Sequence, residues 1–167
     1  MRLTTRGQYA VRAVVDLACN GKLKPVTLDS ISQREQISIA YLEQLFIKLR
    51  RKKLVKSVRG PGGGYLLTRG PEQIKIGEIV EAVEEPLTPV ACVDDSYCTR
   101  SDRCVTQQVW RELGEKIREF LNSLTVDELV HRCRKIQQKR GGLNDLSGSQ
   151  CHYTGTSGSA GGDASPV

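Results

Sequence analysis

The chain lacks any apolar run approaching the ~20 residues needed to cross a bilayer, and no leader of the charged-then-apolar kind precedes its first helical pattern. Arg2 and Arg6 put charge near the start, but the apolar positions that follow are periodic rather than continuous. Both absences predict a cytoplasmic protein with no membrane attachment. Histidine is scarce too: there are two in 167 residues, neither lies in a cleft-forming motif, and no nucleophile–base pairing is visible. An enzyme is therefore the weakest class, and none is expected. Acidic residues are missing altogether from Gln44 to Pro71, whereas Lys48, Arg50, Arg51, Lys52, Lys53, Lys56, Arg59 and Arg69 all fall there. A local field of that sign attracts polyanions through counterion release. The same run judged alone reads equally well as a solvated helix face, so its structural setting has to decide.

What is present supplies that setting. At 167 residues the chain suits one domain plus extensions. Ala10, Val11, Val14, Leu17 and Ala18 recur at three and four, a helix with one buried stripe that Asn20-Gly21 closes. Thr27 is an N-cap for a short helix through about Arg34, with Leu28 and Ile31 inward. After a tight turn at Gln36-Ile37-Ser38, Ser38 caps a second helix in which Leu42, Leu45, Phe46 and Leu49 share one face. Ala40, Glu43, Gln44, Lys48 and Arg51 lie away from that face, and with Tyr41 and Arg50 they form a candidate reading surface. Two helices joined in this way make a helix-turn-helix.

Leu54 to Arg59 then alternates like a half-exposed strand, and Tyr65 to Thr68 answers it across Gly60-Pro61-Gly62-Gly63-Gly64. A hairpin straight after a recognition helix is a wing. The glycine-rich turn lacks the Lys-Ser/Thr ending of a phosphate cradle and sits between strands, which rules out nucleotide binding of that kind. A short helix follows from Gly77 to Glu84, stopped by Pro86 and Pro89. Farther on, Trp110, Leu113, Ile117, Phe120 and Leu124 form a coiled-coil-like seam on a long helix. One winged-helix unit does not need so long a helix, so this seam is assigned to a dimer interface rather than to packing within the subunit. Thr125-Val126-Asp127-Glu128 is a capping box for a last short helix. From Gly141 to Val167 there is no Lys or Arg, and Gly and Ser dominate, a composition expected to remain disordered.

Cys92, Cys98 and Cys104 are evenly spaced, with five residues between each pair, in a polar loop between the two halves. In a reducing compartment six cysteines argue for thiols or metal ligands over disulfides. Thiolates select zinc or iron–sulfur centres, but the paired Cys-x-x-Cys knuckles usual for structural zinc are absent. Three cysteines leave a cluster's fourth position to another residue. Cys19 reads as a small core residue; Cys133, and Cys151 with His152, have no second ligand cluster nearby.

Met1-Arg2-Leu3-Thr4 leading to Gly7-x-Tyr9-Ala10, Ser38-x-x-Tyr41-Leu42-Glu43-Gln44-Leu45, and Val58 to Tyr65 together resemble the Rrf-type winged-helix regulators. With the three cysteines and Trp110, the resemblance covers Met1 to about Arg134. It implies a homodimer on a pseudo-palindromic operator in double-stranded DNA, read by Ser38, Glu43 and Gln44 in the major groove, with Arg59 and Gly60 of the wing at the minor groove. It implies a [2Fe-2S] cluster on Cys92, Cys98 and Cys104, loaded from an iron–sulfur assembly scaffold. Repression of cluster-assembly genes would follow when the cluster is present, and the cluster-free form would use a second class of sites. The family's cluster-assembly regulators place a histidine three residues after the last cysteine; here that residue is Gln107. The acidic ligand of nitric-oxide-sensing relatives is Gln8. The fourth ligand thus stays open between Gln107, Gln8 of the partner subunit and water.

The chain therefore reads as mainly α with a small β-hairpin, a winged helix-turn-helix plus a long C-terminal dimerisation helix. Residues 1–85 form the DNA-binding domain and 86–105 the cysteine loop. Residues 106–135 carry the dimerisation helix and short last helix, and 136–167 the disordered tail. The alternatives are a nitric-oxide-sensing iron–sulfur repressor, a metal-free regulator of cysteine metabolism and, from another class, a zinc-stabilised protein-interaction module.

Overall fold

The computed structural model describes residues 5–21, 24–84 and 105–141. Along them run α1 (Thr5–Asn20), α2 (Leu28–Glu35), α3 (Ile39–Arg51), β1 (Val55–Val58), β2 (Gly64–Leu67), α4 (Ile76–Val83), α5 (Val105–Ser123) and α6 (Val126–Gly141), with a 3-10 turn at Pro71–Gln73. The cysteine loop and the residues after 141 lie outside this description.

Local chemistry accounts for each start and stop. α1 turns Ala10, Val14 and Leu17 into the core and ends where the Gly21 N–H returns to the Leu17 carbonyl at 2.7 Å. The Thr27 hydroxyl accepts the Ser30 N–H at 3.2 Å and opens α2. Gln36 then takes a left-handed conformation (φ 55°), Ile37 tucks into the core, and the Ser38 hydroxyl accepts the Tyr41 N–H to open α3. Leu42, Phe46 and Leu49 are fully buried, each contributing roughly 1.5–3 kcal/mol by leaving water. Lys53, also left-handed (φ 56°), closes α3: its N–H donates to the Arg50 carbonyl, and the Leu54 N–H donates to the Leu49 carbonyl at 3.0 Å.

β1 and β2 pair antiparallel, with Val55 opposite Leu67 and Val58 opposite Gly64. The turn between them needs φ values of 107° at Gly60 and 77° at Gly62, which side-chain-bearing residues adopt only with strain. At the hairpin's base Val26 pairs with Tyr65 through two backbone bonds of 3.0 and 2.8 Å. A Cβ at position 64 would sit 2.5 Å from the Val26 carbonyl oxygen, so glycine permits that approach. The Tyr65 ring meets Phe46 edge-on at 4.7 Å and pins the hairpin to α3.

Two ion pairs clamp α1 to α2. Arg34 donates twice to the fully buried Asp16 carboxylate, at 2.8 and 2.7 Å, and Asn20 adds a third donor to Asp16 Oδ1 at 3.1 Å. Arg12 donates to the Glu35 carboxylate at 2.9 Å and also to its carbonyl. Neither pair was evident from the sequence.

On the other side of α1 pack α4 and α6, and α5 packs on α4. Backbone bonds from Ile76 to Leu124 and from Val126 to Ile74, both 2.9 Å, strap the α5–α6 corner to the start of α4. The Thr125–Glu128 box forms as expected, with reciprocal bonds of 3.2 and 3.3 Å. One expectation is corrected: the last helix is not short. It runs 16 residues, so positions 136–141, assigned to the tail, are helical. The straight-chain Lys, Gln and Arg residues of that stretch are good helix formers, and the glycine-rich composition begins only after them.

Candidate nucleic-acid interface

α3 follows the helix-turn-helix turn, and its side opposite the Leu42–Leu45–Phe46–Leu49 core face is open to solvent. Ser38, Ala40, Glu43, Gln44, Arg50 and Arg51 are all exposed, as are Arg59 and Gly60 at the wing turn. Ser38 presents only what its capping bond leaves over. Tyr41 is half-buried and packs edge-on against Tyr9 at 5.8 Å, so part of it is structural.

Lys48 departs from its expected place. It is half-buried, and its Nζ donates to the Val83 carbonyl at 3.0 Å, at the end of α4. A cation there satisfies a carbonyl that the helix leaves without an internal partner. The outer-face position belongs instead to Ile47, 44% exposed, which sequence reasoning missed. Periodicity alone could have found it, since Ile47 lies three and four residues from Gln44 and Glu43 on one side and from Arg50 and Arg51 on the other.

Arg50, Arg51, Lys52, Lys53, Lys56 and Arg59 are exposed and, among the described residues, none of them is ion-paired. Arg69 is different: it pairs with Glu78 of α4 and belongs to the scaffold. The uncompensated charge is thus concentrated on the end of α3 and the wing.

Cys92, Cys98 and Cys104 fall outside the described residues, but both banks of their loop are visible. On the near bank, Lys48 holds the Val83 carbonyl, and the Glu84 carboxylate accepts the Gly7 N–H at 3.0 Å in the first turn of α1. A carboxylate at that helix end is favoured by the unpaired N–H groups and the dipole. On the far bank, Gln107 is only 5% exposed in the first turn of α5, so it does not face water. Gln8 is exposed on α1. Cys19 and Cys133 are half-buried, and His131 lies 3.3 Å from Asp127. No three His, Cys, Asp or Glu side chains converge to form a metal site among the described residues.

The expected dimer seam divides in two. Trp110, Leu113 and Phe120 are exposed, Phe120 to 63%, and Val109 joins them at 58%. Ile117 and Leu124 are half-buried, Leu124 packing on the subunit's own core. Gln107 and Gly114, seven residues apart, face inward.

A family model described as Rrf2, iron-dependent transcriptional regulator, matches residues 3–132. The HTH-type transcriptional regulator IscR of Pectobacterium atrosepticum is 48% identical over 131 residues, 78% of this chain and 80% of that protein. The IscR of Escherichia coli O1:K1 / APEC is 47% identical over the same length, 78% of this chain and 81% of its own. Among solved structures, T. potens IscR superposes with a TM-score of 0.64 at 34% identity, covering 89% of this chain and 94% of that one. CymR, described as the global cysteine regulator of B. subtilis, gives 0.66 at 33% identity over 79% and 98%. These relatives are regulators rather than enzymes, and the two solved ones share the chain's mainly helical fold. The chain belongs to the Rrf2 family of DNA-binding transcriptional regulators.

Proposed function

We propose that the chain works as a homodimer on pseudo-palindromic operators in double-stranded DNA, controlling iron–sulfur cluster assembly genes according to whether Cys92, Cys98 and Cys104 hold a [2Fe-2S] cluster. The observation that carries the DNA part is the unpaired basic surface of α3 and the wing around the exposed Glu43 and Gln44. Phosphate contacts from such cations fix register, while the carboxylate and amide address base edges. The exposed apolar side chains of Val109, Trp110, Leu113 and Phe120 support the dimer, since clustered apolar exposure marks an interaction site and two-fold pairing is the commonest.

The donor set suits the cluster. Three soft thiolates in one loop, without zinc knuckles, leave one position open, and Gln107 lies buried at the loop's exit as a candidate for it. A cluster bound there supplies a redox-active iron centre. Lys48 and Gly7 bind Val83 and Glu84, the last described residues before the loop, so a shift at those two residues acts on α3 and α1 directly. An iron–sulfur assembly scaffold is the cluster donor in this reading.

The test is spectroscopy on anaerobically purified full-length protein, paired with selection from a randomised duplex library. Two-iron Mössbauer features, lost in a Cys98→Ala variant, are the expected result. Four-iron features would select the nitric-oxide-sensing alternative, and colourless protein with stoichiometric zinc would select the interaction module. The likeness to CymR favours one further reading, a metal-free regulator of cysteine metabolism. Colourless protein without metal that still selects duplexes would support it.

A further inference from the structure

We propose that Ile47 is a specificity-determining residue that recognises the 5-methyl group of a thymine in the operator. The inference rests on α3 being the reading helix, as set out above. Ile47 lies opposite the buried Leu42–Leu45–Phe46–Leu49 face and is 44% exposed, while Ile39, also partly exposed, lies nearer the edge of that face. Glu43, Gln44, Arg50 and Arg51, its neighbours one turn to either side, are exposed and polar or charged. All four can form hydrogen bonds or ion pairs with base edges or phosphates. Isoleucine can do neither.

Nothing in the protein's own packing calls for it there. A β-branched side chain is a poorer helix former than Ala, Lys or Glu at an open position. The floor of the major groove offers one apolar feature, the thymine 5-methyl, and an aliphatic side chain centred on a reading face is matched to it. The unpaired positive charge of Arg50, Arg51 and the wing brings duplex DNA to this face of α3 and not to another. Glu43 and Ile47, one turn apart, then divide the work: the carboxylate accepts from cytosine N4 and the aliphatic side chain covers a thymine methyl one or two base pairs away.

Replacing thymine by uracil removes that methyl and leaves every hydrogen-bonding group of the base in place. Duplexes are first selected with the full-length wild-type protein, and each thymine in turn is then replaced by uracil. At one thymine per half-site, replacement should weaken wild-type binding about fourfold, the effect of one methyl group leaving an apolar contact. Ile47→Ala should bind the thymine and uracil duplexes alike at that position, respond normally at the others, and melt no lower than the wild type, because the side chain is not in the core and alanine is the better helix former. If both proteins respond equally to uracil at every thymine while Glu43→Ala still changes the selected sequences, the role of Ile47 is overturned and the reading helix stands. If Glu43→Ala and Arg51→Ala leave selection unchanged too, α3 does not read the operator and both fail together.

Discussion

Glu43 is the acidic residue in the middle of an otherwise basic surface, and its charge works against binding in general. In the operator reading proposed above, its carboxylate repels phosphate and the acceptors on guanine and thymine edges and accepts a hydrogen bond from cytosine N4. Its contribution in that reading is rejection of wrong sites more than affinity for the right one. Glu43→Ala should bind a wider range of duplexes, measured as lower information content in a randomised-operator selection. Lys53 has a different duty. It occupies the left-handed closing position of α3 (φ 56°), where a lysine carries about 1 kcal/mol of backbone strain and glycine carries none. Lys53→Gly should raise stability by about that amount in denaturant titration, while weakening DNA binding uniformly across sequences because one exposed cation is gone.

The clamp between α1 and α2 sets how the helix-turn-helix is presented. Asp16 is wholly buried with both oxygens bonded, so removing its carboxylate takes two charge-assisted bonds from the part-buried Arg34 guanidinium and opens a void beside it. Asp16→Ala should cost about 3 kcal/mol, a fall of the order of 10 °C in melting temperature by calorimetry. On α5, Leu113→Glu and Phe120→Glu should yield monomers in sedimentation without loss of the fold, because both side chains are exposed in the single subunit. Ile117, which periodicity places on the same seam, is half-buried, and a charge there would confuse the two effects. That difference shows where sequence reading reaches its limit. Caps, turns and the α3 core stripe were legible because each is specified within a few residues: Thr27, Ser38, Asn20-Gly21 and the Thr125–Glu128 box all act locally. Asp16 and Arg34 are eighteen residues apart, and nothing in their spacing announces a pair. Lys48 and Ile47 are adjacent, and which of them faces outward is decided by the Val83 carbonyl of a distant helix. The burial of Gln107 is likewise not announced by its place in a first turn, where polar residues more often face water.

At the scale of the whole molecule, the cysteine loop emerges from a joint rather than from a free end. Val83 and Glu84 are held by α3 and α1 respectively, so the residues that lead toward the cysteine loop share one corner with both helices. Lys48→Met keeps the length of the side chain and removes its donor. In the reading offered above, it should leave cluster-free protein folded and able to bind DNA while narrowing the difference in affinity between cluster-bound and cluster-free forms, measured by fluorescence anisotropy on the same operator. An unchanged difference would mean that the signal leaves the loop by another route. The connection on the far side of α3 has the opposite character. Between Arg51 and Val55 the chain is bonded back onto the helix at both Lys53 and Leu54, and the hairpin beyond is fastened to Phe46 and Val26. Helix and wing thus behave as a caliper with a fixed opening. In the proposed dimer, operators that differ in length or spacing are not met by adjusting that opening, so the difference has to be absorbed where the two subunits meet or by bending of the duplex itself.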